Sequence, residues 1–207
     1  MNQWEDLEKL QRDGEEMRKQ LEQEDGIILL DDQEARDRLR SVLVPAFVAC
    51  FEDFCKAGDL CLVYPFSMDG QSEESQIADC DGFSSRKTDP QTGKPRCAIG
   101  VSVEAMDAGT TYAVLVLLHE LCHLIVIEPQ TENFTDHSAH FHATLDELIE
   151  KYNTAYKTEI VNDYFGLAPE GRRTPHKALN GVEAPGYRGD GKRPQRAGNA
   201  PLRGSRH

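Results

Sequence analysis

Residues 114–128 read VLVLLHELCHLIVIE, an almost wholly apolar run with two imidazoles and a carboxylate at its centre. A segment of this composition belongs in a core, and burying three polar side chains costs free energy unless something pairs with them. His119, Glu120 and His123 form the pattern His-Glu-x-x-His. On a helix, positions i and i+4 lie one above the other on the same face, so both imidazoles can reach one metal ion. Zinc with three protein ligands keeps a position open for water and brings the pKa of that water down towards about 7. Glu120, next to the first ligand, is placed to take the water's proton and later pass it to a leaving amine. The competing reading is a pair of satisfied core histidines. The uninterrupted apolar flanks weigh against it, because the polar trio needs a compensating partner that a metal supplies.

A catalytic zinc site needs a third protein ligand. The metzincin arrangement requires glycine at position 126 and histidine at position 129, whereas this chain has Val126 and Pro129. Downstream, DHSAHFHATLDELIE offers His137, His140, His142, Asp146, Glu147 and Glu150. An acidic ligand on the following helix would make Glu147 or Glu150 the candidate.

LLHELCHLIV, with HSAHF following it, resembles the SprT-like zinc metallopeptidases, including their short minimal-gluzincin members. That family pairs His-Glu-x-x-His with a His-[Gly/Ser]-x-x-Phe motif at the start of the next helix. His137, Ser138 and Phe141 match the second motif position by position, and CAIGVSVEA matches the strand before the active-site helix. The resemblance covers about residues 97–150. It implies that His119, His123 and His137 are the zinc ligands, that Phe141 packs behind His137, and that Glu120 is the general base acting on a polypeptide substrate. Some SprT-like proteins act on proteins attached to DNA, which makes DNA a candidate partner. Larger members carry a C-terminal zinc ribbon; no cysteine follows Cys122, so that module is absent. His140 reads as part of a solvated helix face, while His142, Tyr152 and Tyr156 remain candidate donors to a tetrahedral oxyanion.

Around the motif, the expected fold class is α+β, a small and mostly antiparallel sheet packed against the His-Glu-x-x-His helix and a second, C-terminal helix. The spacing predicts a charged helix over 3–24 and a long helix over 32–57 that Pro45 kinks or splits and Gly58 ends. Leu39, Val42, Leu43, Phe47, Cys50, Phe51 and Phe54 form the apolar face of the long helix. Strands are expected at 60–64 and 97–103, separated by a polar loop or irregular hairpin over 65–96 with turn signals at Asp69-Gly70, Asp81-Gly82 and Asp89-Pro90. Asp107 or Thr110 is expected to cap the zinc helix, which runs over about 110–128 until Pro129 stops it. A polar connection leads to a last helix over about 138–158. The strand at 97–103 is the candidate edge for an extended substrate.

The chain has 207 residues, with 39% hydrophobic and 29% charged, so part of it lies outside any core. The net charge of −13 hides an asymmetry: residues 167–207 hold nine Lys/Arg against three Asp/Glu, and the rest is strongly acidic. That tail has seven glycines and five prolines and buries too little apolar surface to offset chain entropy. Three parts follow: a charged N-terminal helix over 1–25, a SprT-like domain over 26–166 and a disordered basic tail over 167–207. The acidic body excludes broad coating of nucleic acid, while the tail could touch phosphates. The first twenty residues lack the apolar stretch of a secretory leader, and no apolar run is long enough to span a membrane. The six cysteines show no Cys-x-x-Cys spacing. The expectation is a cytoplasmic protein with reduced thiols and no membrane partner. Beside the metallopeptidase stand three rivals: a DNA-associated factor, a metal-dependent hydrolase of a non-peptide amide, and an inactive fold that keeps zinc for structure.

Overall fold

The computed structural model describes residues 3–58, 60–69, 71, 77, 80–88, 93, 95–126, 137–162 and 176–180. Its architecture is α+β, with six helices and one mixed sheet. Helix α1 is Gln3–Glu24. Its Met17 and Leu21 are fully buried, and Arg96 holds it to the body through Asp13 at 3.0 Å and Glu16 at 2.6 Å. The long helix expected over 32–57 is two helices, α2 (Gln33–Ala49) and α3 (Phe51–Ala57). Asp32 caps α2 by accepting from the Ala35 amide at 2.8 Å. Pro45 sits inside α2, and the break falls later, at Cys50, whose backbone leaves the helical region. Cys50, Phe54, Leu39 and Val42 are buried as expected, but Phe47 and Phe51 are 41% and 52% exposed. The six cysteines are thiols, not disulfides, and burial pushes Cys50 up to about 11.

The strands are β1 (Leu60–Phe66), β2 (Gly82–Thr88), β3 (Pro95–Ser102) and β4 (His176–Asn180), in the order β1-β3-β2-β4. The expected antiparallel character is corrected: β1 and β3 are parallel, β2 and β3 antiparallel, β2 and β4 parallel. The cause is connectivity. After β1 the chain passes β3's position to lay down β2 and then doubles back, so only β2 and β3 are hairpin neighbours. β2 lies within the stretch expected to be a polar loop or irregular hairpin, where it forms a regular strand antiparallel to β3. β3 is therefore an interior strand, not the sheet edge. β4 lies within the segment expected to be a disordered tail, most of which is outside the described residues.

β3 shows why the sheet is buried on both faces. Cys97, Ile99 and Val101 join the main core with the helices, while Ala98 faces the smaller core built by Met17, Leu21, Phe66 and Phe83. Alternate residues of a strand point to opposite faces, so an unbroken small-apolar run suits a strand between two layers. Gly100 pairs with Phe83, and a Cβ at Gly100 would lie 2.0 Å from that ring.

Helix α4 (Val103–Ala108) follows β3 directly and is capped by Ser102, whose hydroxyl accepts from Ala105 at 2.9 Å. Helix α5 (Thr110–Ile125) has Gly109 at its N-cap rather than Asp107 or Thr110, and Asp107 pairs instead with Arg38. It ends four residues short of Pro129, which lies with the polar connection outside the described residues. Helix α6 (Ala139–Tyr156) is capped by Ser138 and ends at Lys157 in the left-handed conformation. Among the described residues no helix is long and apolar enough to cross a membrane.

Asp53, 4% exposed, ties α3 to α6 by accepting from Lys151 at 2.6 Å and Lys56 at 2.9 Å. Burial pushes its carboxyl up, but the two ammonium groups outweigh burial and the net direction is down from the ordinary 3.8. A depressed carboxylate stabilises above its ordinary pKa, and that contribution fades as pH falls through the lowered value. Asp53→Asn is therefore expected to cost about 1 kcal/mol in urea unfolding at pH 7. The gap from the parent should close as the titration is repeated below pH 3.8.

Candidate metal centre

α5 is the most enclosed helix among the described residues: every residue from Tyr112 to Cys122 is buried, His119 at 4% and Glu120 at 0% exposure included. His123, one turn on, is partly exposed. The imidazoles of His119 and His123 face one another as the i, i+4 spacing requires, with Nε2 to Nε2 at 3.3 Å. His137 brings its Nε2 to 3.2 Å from that of His123. The ligand atoms of all three lie within 4.8 Å of one another.

These separations test the fit of a metal. Nitrogens bound at about 2.0–2.1 Å to a tetrahedral zinc ion are about 3.3–3.4 Å apart. The His119–His123 and His123–His137 Nε2 separations, at 3.3 and 3.2 Å, are already close to that spacing. Three converging imidazole nitrogens cannot all be donor and acceptor to each other, because a neutral ring has one of each. One cation suits all three. The group His119, His123 and His137 can therefore hold a metal ion.

Ser138 explains the His-Ser-x-x-Phe spacing. Its hydroxyl accepts from the Phe141 amide at 3.1 Å and so starts α6. That start fixes His137 immediately outside the helix and Phe141 one turn in. The Phe141 ring is fully buried with its centroid 4.0 Å from His137, 4.5 Å from His123 and 5.0 Å from His119. It backs all three imidazoles, more than the His137 contact expected. Cys122 closes the joint by donating from Sγ to the Phe141 carbonyl at 3.4 Å.

Glu120 packs against β2. A Cβ on Gly82 would come within 2.9 Å of Glu120 Cγ and 2.6 Å of Val116 Cγ1, so only glycine lets the strand lie this close to the helix. A buried carboxylate and a partly buried guanidinium pin β2 along α5. Asp81 accepts from the Tyr112 hydroxyl at 2.6 Å near the start of α5, and Arg86 donates to the Leu124 carbonyl at its end. Burial drives the Glu120 carboxyl well above the ordinary carboxylate range, while the Ser84 hydroxyl acts in the opposite sense. Neither carboxylate oxygen completes a hydrogen bond of good geometry among the described residues. A cation on the neighbouring imidazoles would offset the cost of ionising it there.

The other candidates fall away from the cluster. Glu147 and Glu150 are exposed on α6, so the acidic-ligand layout is not the one built. His140 is exposed, in keeping with a solvated face. His142 is exposed too, its ring centroid 5.8 Å from that of His137. Tyr152 and Tyr156 stack on each other near the end of α6, about 20 Å along the axis from His137 at 1.5 Å per residue. They are removed as oxyanion donors. Gly82 and Ser84 were missed because Asp81-Gly82 reads as a turn and FSSRKT carries a single apolar residue.

No family model, no curated protein and no solved structure matches the chain.

Titration of the purified, metal-stripped chain with Zn2+ is expected to show one tight site. His137→Ala should weaken it by at least about 100-fold, more than the loss of a residue that only supports a ligand. Glu147→Gln should leave it unchanged. Equal affinities for the parent and His137→Ala would remove His137 from the ligand set.

Proposed function

We propose that the chain is a zinc-dependent metallopeptidase of the SprT-like kind. The observation that carries this reading is the convergence of three imidazole nitrogens beside a buried carboxylate. The donor set and its spacing suit zinc. A structural zinc site fills all four positions with protein ligands, whereas three donors leave one for water or substrate.

Zinc bound there would supply Lewis acidity, polarising a scissile carbonyl and easing deprotonation of water. The rest is the work of this chain's own groups. Glu120 takes the proton of the attacking water and passes it to the leaving amine. Ser84 steadies the ionised carboxylate from below. Gly82 holds the strand close enough for both. Phe141 keeps the backs of the imidazoles dry and their rings fixed. The substrate favoured is extended polypeptide rather than a small amide, because the residues around Glu120 belong to a strand, and strands bind extended backbone through main-chain hydrogen bonds.

Glu120→Gln tests the assignment. It is nearly isosteric, so zinc affinity should be retained while cleavage of an unfolded, labelled polypeptide falls by at least about 100-fold. Cleavage at the parent rate by Glu120→Gln, with zinc bound, would sink the mechanism.

A further inference from the structure

β2 carries β3 on one side and β4 on the other. The occupant of that second side is His176–Asn180, a segment of the basic C-terminal region. It runs parallel to β2, with His176 opposite Gly82, Ala178 opposite Ser84 and Asn180 opposite Arg86. Gly82 and Ser84 are the two β2 residues that meet Glu120. The backbone edge beside the carboxylate is therefore taken by the chain itself. In the same arrangement Glu120 has no exposed surface and His119 has 4%. A general base must reach water and substrate, so this is a closed form of the site.

We infer that residues 176–180 are a self-inhibitory strand: they occupy the β2 edge that an extended polypeptide needs, and their release opens the site. The inference rests on the metallopeptidase reading for what the open edge is for. Its physical basis is competition for main-chain hydrogen bonds. A sheet edge accepts any extended backbone that presents its N–H and C=O groups in register. Five residues pair weakly by themselves, but here only residues 163–175 separate the segment from the last described residue of the body. Tethering of this length gives an effective concentration on the order of millimolar, which favours the internal strand over dilute substrate. A polypeptide at high local concentration, or a partner that takes hold of the tail, would tip the balance.

The test uses the full chain with Ala178→Pro and Leu179→Pro together. Successive N–H groups of a strand point to opposite sides, so one of these two faces β2, and proline removes it. The far-ultraviolet dichroism of the body should not move. Amide exchange over Gly82–Arg86 is expected to quicken by about tenfold, with α5 unaffected. In a Glu120→Gln background, binding of a fluorescein-labelled, permanently unfolded polypeptide should tighten by about tenfold if the strand is docked in roughly nine molecules of ten. A synthetic peptide of residues 174–182, added at millimolar concentration, should reverse both effects. Unchanged exchange along β2 overturns the inference, since the segment would then not pair. Quickened exchange with unchanged polypeptide binding also overturns it, since the edge would not be contested. Binding is read on a chain without its base, so loss of the metallopeptidase reading would show separately, as zinc-loaded parent that never cleaves.

Discussion

Two imidazoles and a carboxylate in the most enclosed helix of a protein are a debt in free energy, and the surrounding structure is organised around meeting it. Solvent cannot help, because α5 is buried along almost its whole length. His137 arrives from the turn before α6 to complete the nitrogen cluster, and β2 arrives to meet the neighbouring Glu120. Each arrival is fixed by polar contacts that are buried or partly buried: Ser138 and Cys122 set α6, Asp81 and Arg86 set β2. Buried polar groups cost little when each is satisfied, and they then fix one arrangement out of many. Removing the cation's place in this scheme would leave Glu120 the least tolerable group in the molecule.

The helices were legible because their signals are local. α1 runs over the expected residues, α5 starts where expected, and α6 begins one residue later than read, because Ser138 is its cap and not its first turn. The long helix over 32–57 came out as two because Pro45, the obvious breaker, is absorbed while Cys50 turns the chain. The nitrogen cluster was legible because the His-Glu-x-x-His and His-Ser-x-x-Phe spacings each encode a local geometry: an i, i+4 pair and an N-capped helix start. What joins them in space is a tertiary fact, and the residues between 127 and 136 that make the connection are not described.

β2 was not legible, for a reason tied to the site. A strand lying against a buried carboxylate has to present a gap and a hydroxyl, so Gly82, Ser84 and Ser85 stand where a reader of hydrophobic periodicity looks for branched apolar residues. Their burial shows only in three dimensions. The same error displaced the sheet edge to β3, whose apolar alternation announced a strand but could not announce that strands flank it on both sides. Polar sequence at a buried position is the trace a functional site leaves when it overrides the local pattern.

The edge of β2 joins these threads. A strand that supports a buried base on its face exposes its backbone at its side, and an unpaired backbone edge is a liability in any protein. A chain can blunt that edge permanently, with proline, charge or a bulge, or it can cover it reversibly. Permanent blunting would forbid an extended polypeptide from ever pairing beside Glu120. Cover by a short, tethered strand protects the edge while keeping it available, because five residues held by a linker cost little to displace. Residues 167–207 and the acidic remainder of the chain carry opposite net charge, and salt weakens attraction between opposite charges, so the balance between covered and open edge is set by backbone pairing at close range and by charge at long range.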